Sequence, residues 1–201
     1  RDAFRNTKKE QARKALGIAD HIFTVFIFGG SLGSEEINEI GIEVIKKFST
    51  DKNVHIIIGT GKEMYDKVIR RLKSEMSDIG ENVDIAAYVN YIPNAMAASD
   101  VIICRSGAIS VAEITATGRA AIFVPSPNVT DNHQFYNAKA VSDKGGAYLI
   151  EENENTIREV ISKLSFLYEH PYELSDMEEN SRLCGNPDAT NLIYSNIIEE
   201  L

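Results

Sequence analysis

The sequence predicts a doubly wound α/β fold, in which helices cover both faces of one parallel sheet. Short apolar segments alternate with amphipathic stretches along most of the 201 residues. The apolar segments are nearly continuous, which is typical of strands buried on both faces of a parallel sheet. Because crossovers between parallel strands are right-handed, repeated β-α units of this kind form a Rossmann-like domain.

Six segments rich in isoleucine, valine, alanine and phenylalanine have the length and composition of strands. Glycine or polar residues follow each of them and mark the turns at which the chain leaves the sheet. The predicted strands are Ile22–Phe28, Val54–Ile58, Val83–Val89, Asp100–Cys104, Ala120–Pro125 and Gly146–Ile150.

The stretches between these strands carry apolar residues at helical spacing, and the last part of the chain is purely helical. Ser34 is placed to cap the first of these helices. The predicted helices are Ser34–Phe48, Glu63 to about Met76, a short helix from Pro93, Ala108–Thr117, about Asn132–Ser142, about Asn155–Leu167, Glu173–Leu183 and Ala189–Leu201.

Composition is that of an ordinary globular protein, with 43% hydrophobic and 25% charged residues. The net charge of -9 disfavours a general surface for nucleic acid or anionic membrane, whose phosphates would be repelled. No apolar run approaches the about 20 residues that span a bilayer, and no signal-peptide pattern opens the chain. Cys104 and Cys184 lack the spacing of a zinc or redox site and are expected to be reduced.

Ligands of open α/β sheets bind beyond the carboxyl ends of the strands, so the loops after the strands are the candidate sites. In "FGGSLGSEE", Phe28–Glu36, three glycines let the backbone turn sharply, so the amides that open the next helix can face a phosphate. The spacing is neither G-x-G-x-x-G nor that of a P-loop, and Gly59 ends the second strand without a ribose-binding acid. A glycine-rich turn without a ligand is the alternative.

Arg105, Ser106 and Gly107 follow the fourth strand, and the helix Ala108–Thr117 offers unpaired N–H groups to an anion. Glu113 lies on the second turn of that helix, where a carboxylate can accept hydrogen bonds from the vicinal hydroxyls of a ribose. In the alternative interpretation Glu113 is a solvated helix residue paired with Arg105.

In the segment Val124–Ala140 a Pro-x-Pro loop leads into a helix start that is crowded with amide side chains. Such amides suit a neutral, polyhydroxylated ligand such as a sugar. Asp131 has the alternative role of a helix cap. As a catalytic base, His133 lacks a Ser or Cys nucleophile placed near it by the sequence.

Together the three loops describe an anion site, a ribose carboxylate and a sugar-binding cluster of amides, which is the composition of a nucleotide-sugar site. The chain contains no Asp-x-Asp pair. We therefore expect helix N-termini, rather than a bound metal, to stabilise a diphosphate leaving group, and we expect no cofactor.

Three motifs in combination resemble those of the MurG family of inverting GT-B glycosyltransferases, which add GlcNAc to the lipid-linked muramyl precursor of peptidoglycan. "FGGSLGS" is similar to the family's "GGSxGA" loop, "CRSGAISVAEI" to its "CRSGAxTxxE" stretch, and "FVPSPNVTDNHQFYNA" to its "PxxxxxDxQxxNA" loop. The resemblance runs from about Phe26 to Tyr148 and covers the family's C-terminal, donor-binding domain, and "DATNLIYSNIIEEL" resembles its last helix. Leu32, Ser34 and His133 depart from the family pattern, which has glutamine, alanine and glutamine there.

The resemblance implies a role for each matched residue. Ser31 and the amides around Gly33 would hold the diphosphate, and Glu113 would bind the ribose hydroxyls. The backbone of Val89 would lie against the uracil. Arg1 would correspond to the arginine that ends the family's interdomain "NPxR" segment, a phosphate ligand.

The same resemblance assigns Gln134, together with His133, to the hydroxyls of the GlcNAc. Ala108 to Ser110 would form the helix start beneath the phosphates. The residues expected at the donor are Arg1, Ser31, Gly33, Val89, Arg105, Ser106, Ala108, Ile109, Ser110, Val111, Ala112, Glu113, His133 and Gln134.

The resemblance further implies three parts of the chain. Residues 1–20 would be an N-terminal lead-in or interdomain segment, residues 21–185 the Rossmann-like UDP-GlcNAc-binding domain, and residues 186–201 a C-terminal helix packing back toward an N-terminal domain absent from this sequence. In the family that absent domain carries the acceptor site, the general base and the membrane-facing surface.

We therefore expect the chain to bind UDP-GlcNAc without transferring the sugar, and to have no nucleic acid partner. The full-length protein is expected to be cytoplasmic, peripheral to the inner face of the plasma membrane. Two alternatives stay open: the donor domain of another GT-B GlcNAc transferase, such as the small subunit of the dolichol-linked transferase, and a non-catalytic nucleotide-binding module. A dehydrogenase is disfavoured by the missing ribose acid after the second strand.

Overall fold

Six parallel strands form one sheet in the order β3-β2-β1-β4-β5-β6. The structure, a computed structural model, describes residues 4, 7–30 and 32–185. The predicted doubly wound, Rossmann-like fold and its six strands are confirmed. The strands are β1 (Phe23–Phe28), β2 (Val54–Gly59), β3 (Val83–Ala86), β4 (Val101–Cys104), β5 (Ala120–Phe123) and β6 (Ala147–Leu149).

Helices connect the strands and then continue beyond the last of them. Every helix in the described part of the chain is too short or too polar to cross a lipid bilayer. The helices are α1 (Lys9–Leu16), α2 (Glu35–Phe48), α3 (Tyr65–Glu75), α4 (Ile92–Ala98), α5 (Ala108–Thr117), α6 (His133–Ser142), α7 (Thr156–Glu169) and α8 (Pro171–Cys184).

The sheet separates two hydrophobic layers, because neighbouring residues of a strand point to opposite faces. In β1, Val25 and Ile27 pack with α2, α3, α7 and α8, whereas Phe26 packs with α1, α4, α5 and α6. All three side chains are fully buried. Burial on both faces explains the nearly continuous apolar strands in the sequence.

The helix α1 lies in the lead-in segment, where the sequence predicted no helix. The apolar residues of its sequence, KEQARKAL, are two alanines and one leucine, so the helix offers little apolar surface for burial. Tertiary contacts stabilise it instead. Arg13 is 3% exposed and donates to the carbonyl of Ala98 at 2.9 Å and to the carboxylate of Asp100 at 2.7 Å.

Element boundaries differ from the predicted ones by a few residues. Ser34 caps α2 as predicted, accepting a hydrogen bond from the amide of Ile37 at 3.4 Å. The strand β3 ends before the predicted strand does, so Val89 lies in the following loop, where it is still only 4% exposed. The predicted helix 189–201 and the predicted boundary at 186 lie outside the described residues.

The register of the sheet brings the ends of three strands together. Phe28, the last residue of β1, pairs with Gly59 of β2 on one side and with Cys104 of β4 on the other. The chain leaves β1 toward β2 and β3, and returns on its other side as β4, β5 and β6. The loops after β1 and β4 therefore begin side by side, at the topological switch point where open α/β sheets bind ligands.

Candidate functional site

The glycine-rich loop after β1 turns through two glycines in the left-handed region. Gly30 and Gly33 have φ values of 91° and 84°, which side chains rarely adopt. Gly33 also packs against the loop after β2, where a Cβ on Gly33 would collide with the carbonyl oxygen of Thr60. A Cβ on Gly61 would come within 2.7 Å of the Gly33 amide nitrogen. The two loops thus support each other through backbone contact.

The helix α5 starts beside this loop without a side-chain cap. Gly107 is its N-cap residue and has no side chain to accept from the first-turn amides. Ile109 is 71% exposed at this helix start. The first-turn N–H groups therefore keep the partial positive charge of a helix N-terminus, and an anion placed there would gain hydrogen bonds from them.

A cavity of about 170 Å³ opens at the carboxyl edge between the ends of β1 and β2 and the helices α4 and α5. Val89, Ser110 and Glu113 in its wall are among the residues expected at the donor, and Gly30 is one of the three glycines of the loop after β1. The remaining wall is mainly apolar, as in most small-molecule sites. It consists of Phe26, Phe28, Gly59, Gly61, Ala87, Tyr88, Ile92 and Met96.

Arg105 lies outside the wall of this cavity, and its guanidinium bonds to other parts of the protein. Its Nε donates to Ser34 Oγ at 3.1 Å. Its Nη1 donates to the carbonyls of Val124 and Pro125 at 3.1 and 3.2 Å and to the carboxylate of Glu152 at 2.6 Å. The alternative interpretation paired Arg105 with Glu113, and the ion pair that the structure gives to Arg105 is with Glu152.

Ser106 joins the start of α5 to the start of α6. Its side chain is fully buried, and its hydroxyl donates to the carbonyl of Gln134 at 2.8 Å. The side-chain amide of Asn137 donates to the carbonyl of Ser106 at 3.1 Å. These bonds link the N-termini of two helices, a role that the sequence did not predict for Ser106.

Gln134 and His133 open α6, away from the wall of the 170 Å³ cavity. The side-chain carbonyl of Gln134 accepts from the Ser126 amide at 3.0 Å and so holds the Pro-x-Pro loop. His133 is exposed, and its Nδ1 lies 2.8 Å from the carbonyl oxygen of Thr130. The N-cap of α6 is Asn132, with φ 50° and no side-chain bond, so the capping alternative for Asp131 is not realised.

Two of the predicted donor residues, Arg1 and Ser31, lie outside the described residues. Cys104, which the sequence analysis left without a chemical role, is fully buried at the end of β4. Burial raises the pKa of its thiol far above the usual range, so it is a protonated packing group.

Sequence reasoning did not identify Thr60, Gly61 or Glu152 as parts of this edge. A signal was present, because Thr60 and Gly61 directly follow β2 and Glu152 follows β6 at the same carboxyl edge. None of the three belongs to a recognisable motif, so the topological rule alone pointed to them.

Comparison with known proteins identifies close relatives along nearly the whole chain. The family model described as the glycosyltransferase family 28 C-terminal domain matches residues 24–193. Two relatives, from Thermoanaerobacter pseudethanolicus and Desulforudis audaxviator, are named UDP-N-acetylglucosamine--N-acetylmuramyl-(pentapeptide) pyrophosphoryl-undecaprenol N-acetylglucosamine transferase. The first is 40% identical over 92% of this chain and 50% of its own length. The second is 39% identical over 98% of this chain and 53% of its own length.

Solved structures are similar over the same region. The crystal structure of Acinetobacter baumannii MurG has a TM-score of 0.78 and 27% identity, covering 99% of this chain and 55% of that chain. The C-terminal domain of the glycosyl transferase LpcC from Francisella tularensis has a TM-score of 0.65 at 17% identity, covering 91% of this chain and 94% of that domain, a likeness of fold. The chain spans about half the length of the curated relatives that it matches.

Proposed function

Because the chain belongs to the glycosyltransferase family 28 C-terminal domain family, we propose that it is the donor-binding half of a MurG-type transferase and that its ligand is UDP-GlcNAc. The observation that carries the proposal is the cavity at the switch point. It brings Gly30, Val89, Ser110 and Glu113 together from separate loops and helices. A cavity with an apolar wall and a few polar groups at its rim suits a base, a ribose and a diphosphate in series.

The uracil would enter the apolar part of the cavity. Val89 is almost completely buried in the loop after β3, and Phe28 and Met96 belong to the same wall. Apolar walls of this kind accept a flat base, and the backbone beside Val89 supplies hydrogen-bonding groups that can distinguish its edge.

The diphosphate would bind where the glycine-rich loop meets α5. The start of α5 has no side-chain cap, and the backbone around Gly33 turns through a left-handed conformation beside it. Helix N-termini and turning glycine backbones bind anions through N–H groups. Ser31 would add a hydroxyl, and Ala108, Ile109 and Ser110 the amides of the first turn.

The ribose would be held by Glu113, one turn further along α5. Its side chain is half-buried and borders the same cavity as Ser110, on the face of the helix that continues from the anion site. A carboxylate accepts two hydrogen bonds from vicinal hydroxyls, which fits this position between a base cavity and a diphosphate.

The GlcNAc would lie at the start of α6. The side-chain carbonyl of Gln134 is bonded to the Ser126 amide, so its NH2 group is the part of the amide that would donate to a sugar hydroxyl. His133 is exposed next to it. Arg105 and Ser106 would act by holding the surrounding loops, since their side chains already bond to Glu152 and to the carbonyl of Gln134.

For the whole protein we propose inverting, metal-independent transfer of GlcNAc to a lipid-linked muramyl-pentapeptide acceptor. The names of the relatives support transfer of GlcNAc to this acceptor. The half of each relative that this chain does not match would carry the acceptor site, the general base and the contact with the inner face of the plasma membrane. In this proposal, hydrogen bonds from the N–H groups at the helix N-termini would stabilise the leaving diphosphate in place of a metal ion.

Isothermal titration calorimetry with UDP-GlcNAc, UDP and NAD tests the proposal. We expect heat from both uridine nucleotides and none from NAD. If neither uridine nucleotide produces heat, the proposal is contradicted, and the chain is a module that does not bind this ligand. Equal binding of other nucleoside diphosphate sugars would instead favour the donor domain of another GT-B transferase.

A further inference from the structure

Glu152 lies in a segment to which the motifs assign no role. It follows β6, and its carboxylate lies 2.6 Å from Nη1 of Arg105. The two side chains are only 16% and 27% exposed, for Arg105 and Glu152, so solvent screens the pair incompletely. A short hydrogen bond between two charged groups is stronger than one between neutral groups.

Arg105 connects this carboxylate to the loops of the proposed donor site. Its Nε donates to Ser34 Oγ, at the end of the glycine-rich loop. Its Nη1 donates to the carbonyls of Val124 and Pro125, at the start of the Pro-x-Pro loop. One guanidinium thus bridges the segments that follow β1, β5 and β6, and it is itself the first residue after β4.

Glu152 is the only one of these four partners of Arg105 that carries a charge. The others are a hydroxyl and two carbonyls, which bond more weakly to a guanidinium than a carboxylate does. Without Glu152 a partly buried cation would lose its counter-ion, and its orientation would depend on three neutral acceptors.

The charges of Arg105 and Glu152 also act on a second carboxylate, that of Glu36. Burial raises the pKa of Glu36, the charge of Glu152 raises it further, and the charge of Arg105 lowers it. Glu36 lies in the first turn of α2, two residues after the capping residue Ser34. The Glu152 charge therefore acts at the start of α2 as well as on Arg105.

We propose that Glu152 is a positioning residue of the donor site, which holds Arg105 so that the glycine-rich loop and the Pro-x-Pro loop keep their places around the diphosphate. The inference rests on the proposed function for the identity of the ligand. The bridge itself is a property of the chain without ligand.

The direction in which UDP affinity changes when Glu152 is removed distinguishes a positioning role from a purely electrostatic one. Removal of a carboxylate near an anion site lowers electrostatic repulsion and strengthens anion binding. Loss of the bridge releases two loops and weakens anion binding, because the ligand must then order them. Glu151 is the matched control, since it is the adjacent carboxylate, is exposed, and its substitution changes the net charge equally.

The first experiment compares Glu152→Ala with Glu151→Ala by titrating UDP and uridine into the whole chain. We expect Glu152→Ala to weaken UDP binding about five- to tenfold while uridine binding stays within about twofold, and Glu151→Ala to leave both unchanged or slightly tighter. Tighter or unchanged UDP binding in Glu152→Ala would overturn the proposal. Equal losses for UDP and uridine would also overturn it, because they indicate general damage to the fold.

The second experiment measures amide hydrogen exchange of the ligand-free chain. We expect Glu152→Ala, and not Glu151→Ala, to accelerate exchange in residues 32–36 and around Ser126. Unchanged exchange in these residues would contradict the proposal that Glu152, through Arg105, holds the two loops. If the unaltered chain binds no UDP, the proposed function fails, and the exchange experiment still reports whether Glu152 holds the loops.

Discussion

Glu113 lies on the second turn of α5 and borders the cavity at the carboxyl edge of the sheet. In the sequence it is one carboxylate in an alanine-containing helix. In the structure it borders the same cavity as Val89 and Gly30, which are distant from it in sequence. A half-buried carboxylate at a cavity that also contains a helix start is suited to bind hydroxyl groups rather than to remain in solvent.

We predict that Glu113→Ala weakens UDP-GlcNAc binding by roughly 1–3 kcal/mol, because the ribose hydroxyls lose their acceptor. Calorimetry measures the affinity, and Glu113→Gln, which keeps one acceptor oxygen, should lose less. UDP whose ribose lacks the 2′ and 3′ hydroxyls provides the control, since its affinity should be the same in Glu113→Ala and in the unaltered chain. An unchanged affinity for UDP-GlcNAc in Glu113→Ala would remove this residue from the site.

Gln134 holds the Pro-x-Pro loop and is proposed to bind the sugar, and a pair of variants can separate these two roles. The variant Gln134→Glu keeps an oxygen that accepts from the Ser126 amide but loses the NH2 donor proposed for the sugar. We expect it to weaken UDP-GlcNAc binding more than UDP binding, because the added charge repels the diphosphate of both ligands and only UDP-GlcNAc also loses the sugar contact. Gln134→Ala also releases the Pro-x-Pro loop, so it should lose more. Equal losses for the two ligands in Gln134→Glu would contradict the assignment to the sugar.

At the scale of elements, the loop before α2 packs directly against the loop after β2. Backbone contact between Gly33 and Thr60 allows no side chain at the glycine. The site therefore depends on the β2 loop, although that loop has no chemical group that a motif search would select.

We predict that Gly33→Ala destabilises the fold by about 2 kcal/mol or more and abolishes UDP binding, because it combines a left-handed φ with a collision against Thr60. Chemical denaturation measures the first effect and calorimetry the second. Gly30→Ala is the comparison, since Gly30 has a similar φ but open space around its Cβ position, so it should lose less stability. Equal destabilisation of the two variants would show that the contact with Thr60 does not matter.

At the scale of the whole molecule, the proposed donor site lies at the carboxyl edge of the sheet, and the chain covers about half of the length of its relatives. The proposed acceptor site and base belong to the other half. In this proposal the donor half binds the nucleotide sugar, and the groups that position and deprotonate the reacting hydroxyl belong to the other half.

We therefore predict that this chain alone binds UDP-GlcNAc and transfers no sugar. Incubation with labelled UDP-GlcNAc and a lipid-linked muramyl-pentapeptide acceptor measures transfer, and the full-length parent protein is the positive control. Measurable transfer by the isolated chain would show that it contains a complete active site.

Much of the fold could be predicted from the sequence because its causes are local. Residue types and their spacing determine the apolar runs of β1, β2 and β4. They also determine the boundaries of α5, which begins at Ala108 and ends before its C-cap residue Gly118. The helix α1 could not be predicted in this way. Its Arg13 and Ala12 are stabilised by residues far along the chain, in α4 and at Asp100 just before β4.

By itself the sequence determined the doubly wound class, the identity of the three motifs and the family to which they point, since periodicity and motif spacing are properties of a linear chain. Only the tertiary structure decided which of those residues share a cavity and which hold loops. Glu113 and Val89 line the same cavity. Arg105 instead bonds to Glu152, and Ser106 to the backbone of Gln134. The reason is physical: hydrogen-bond partners are chosen by distance in space, and the register of the sheet sets those distances.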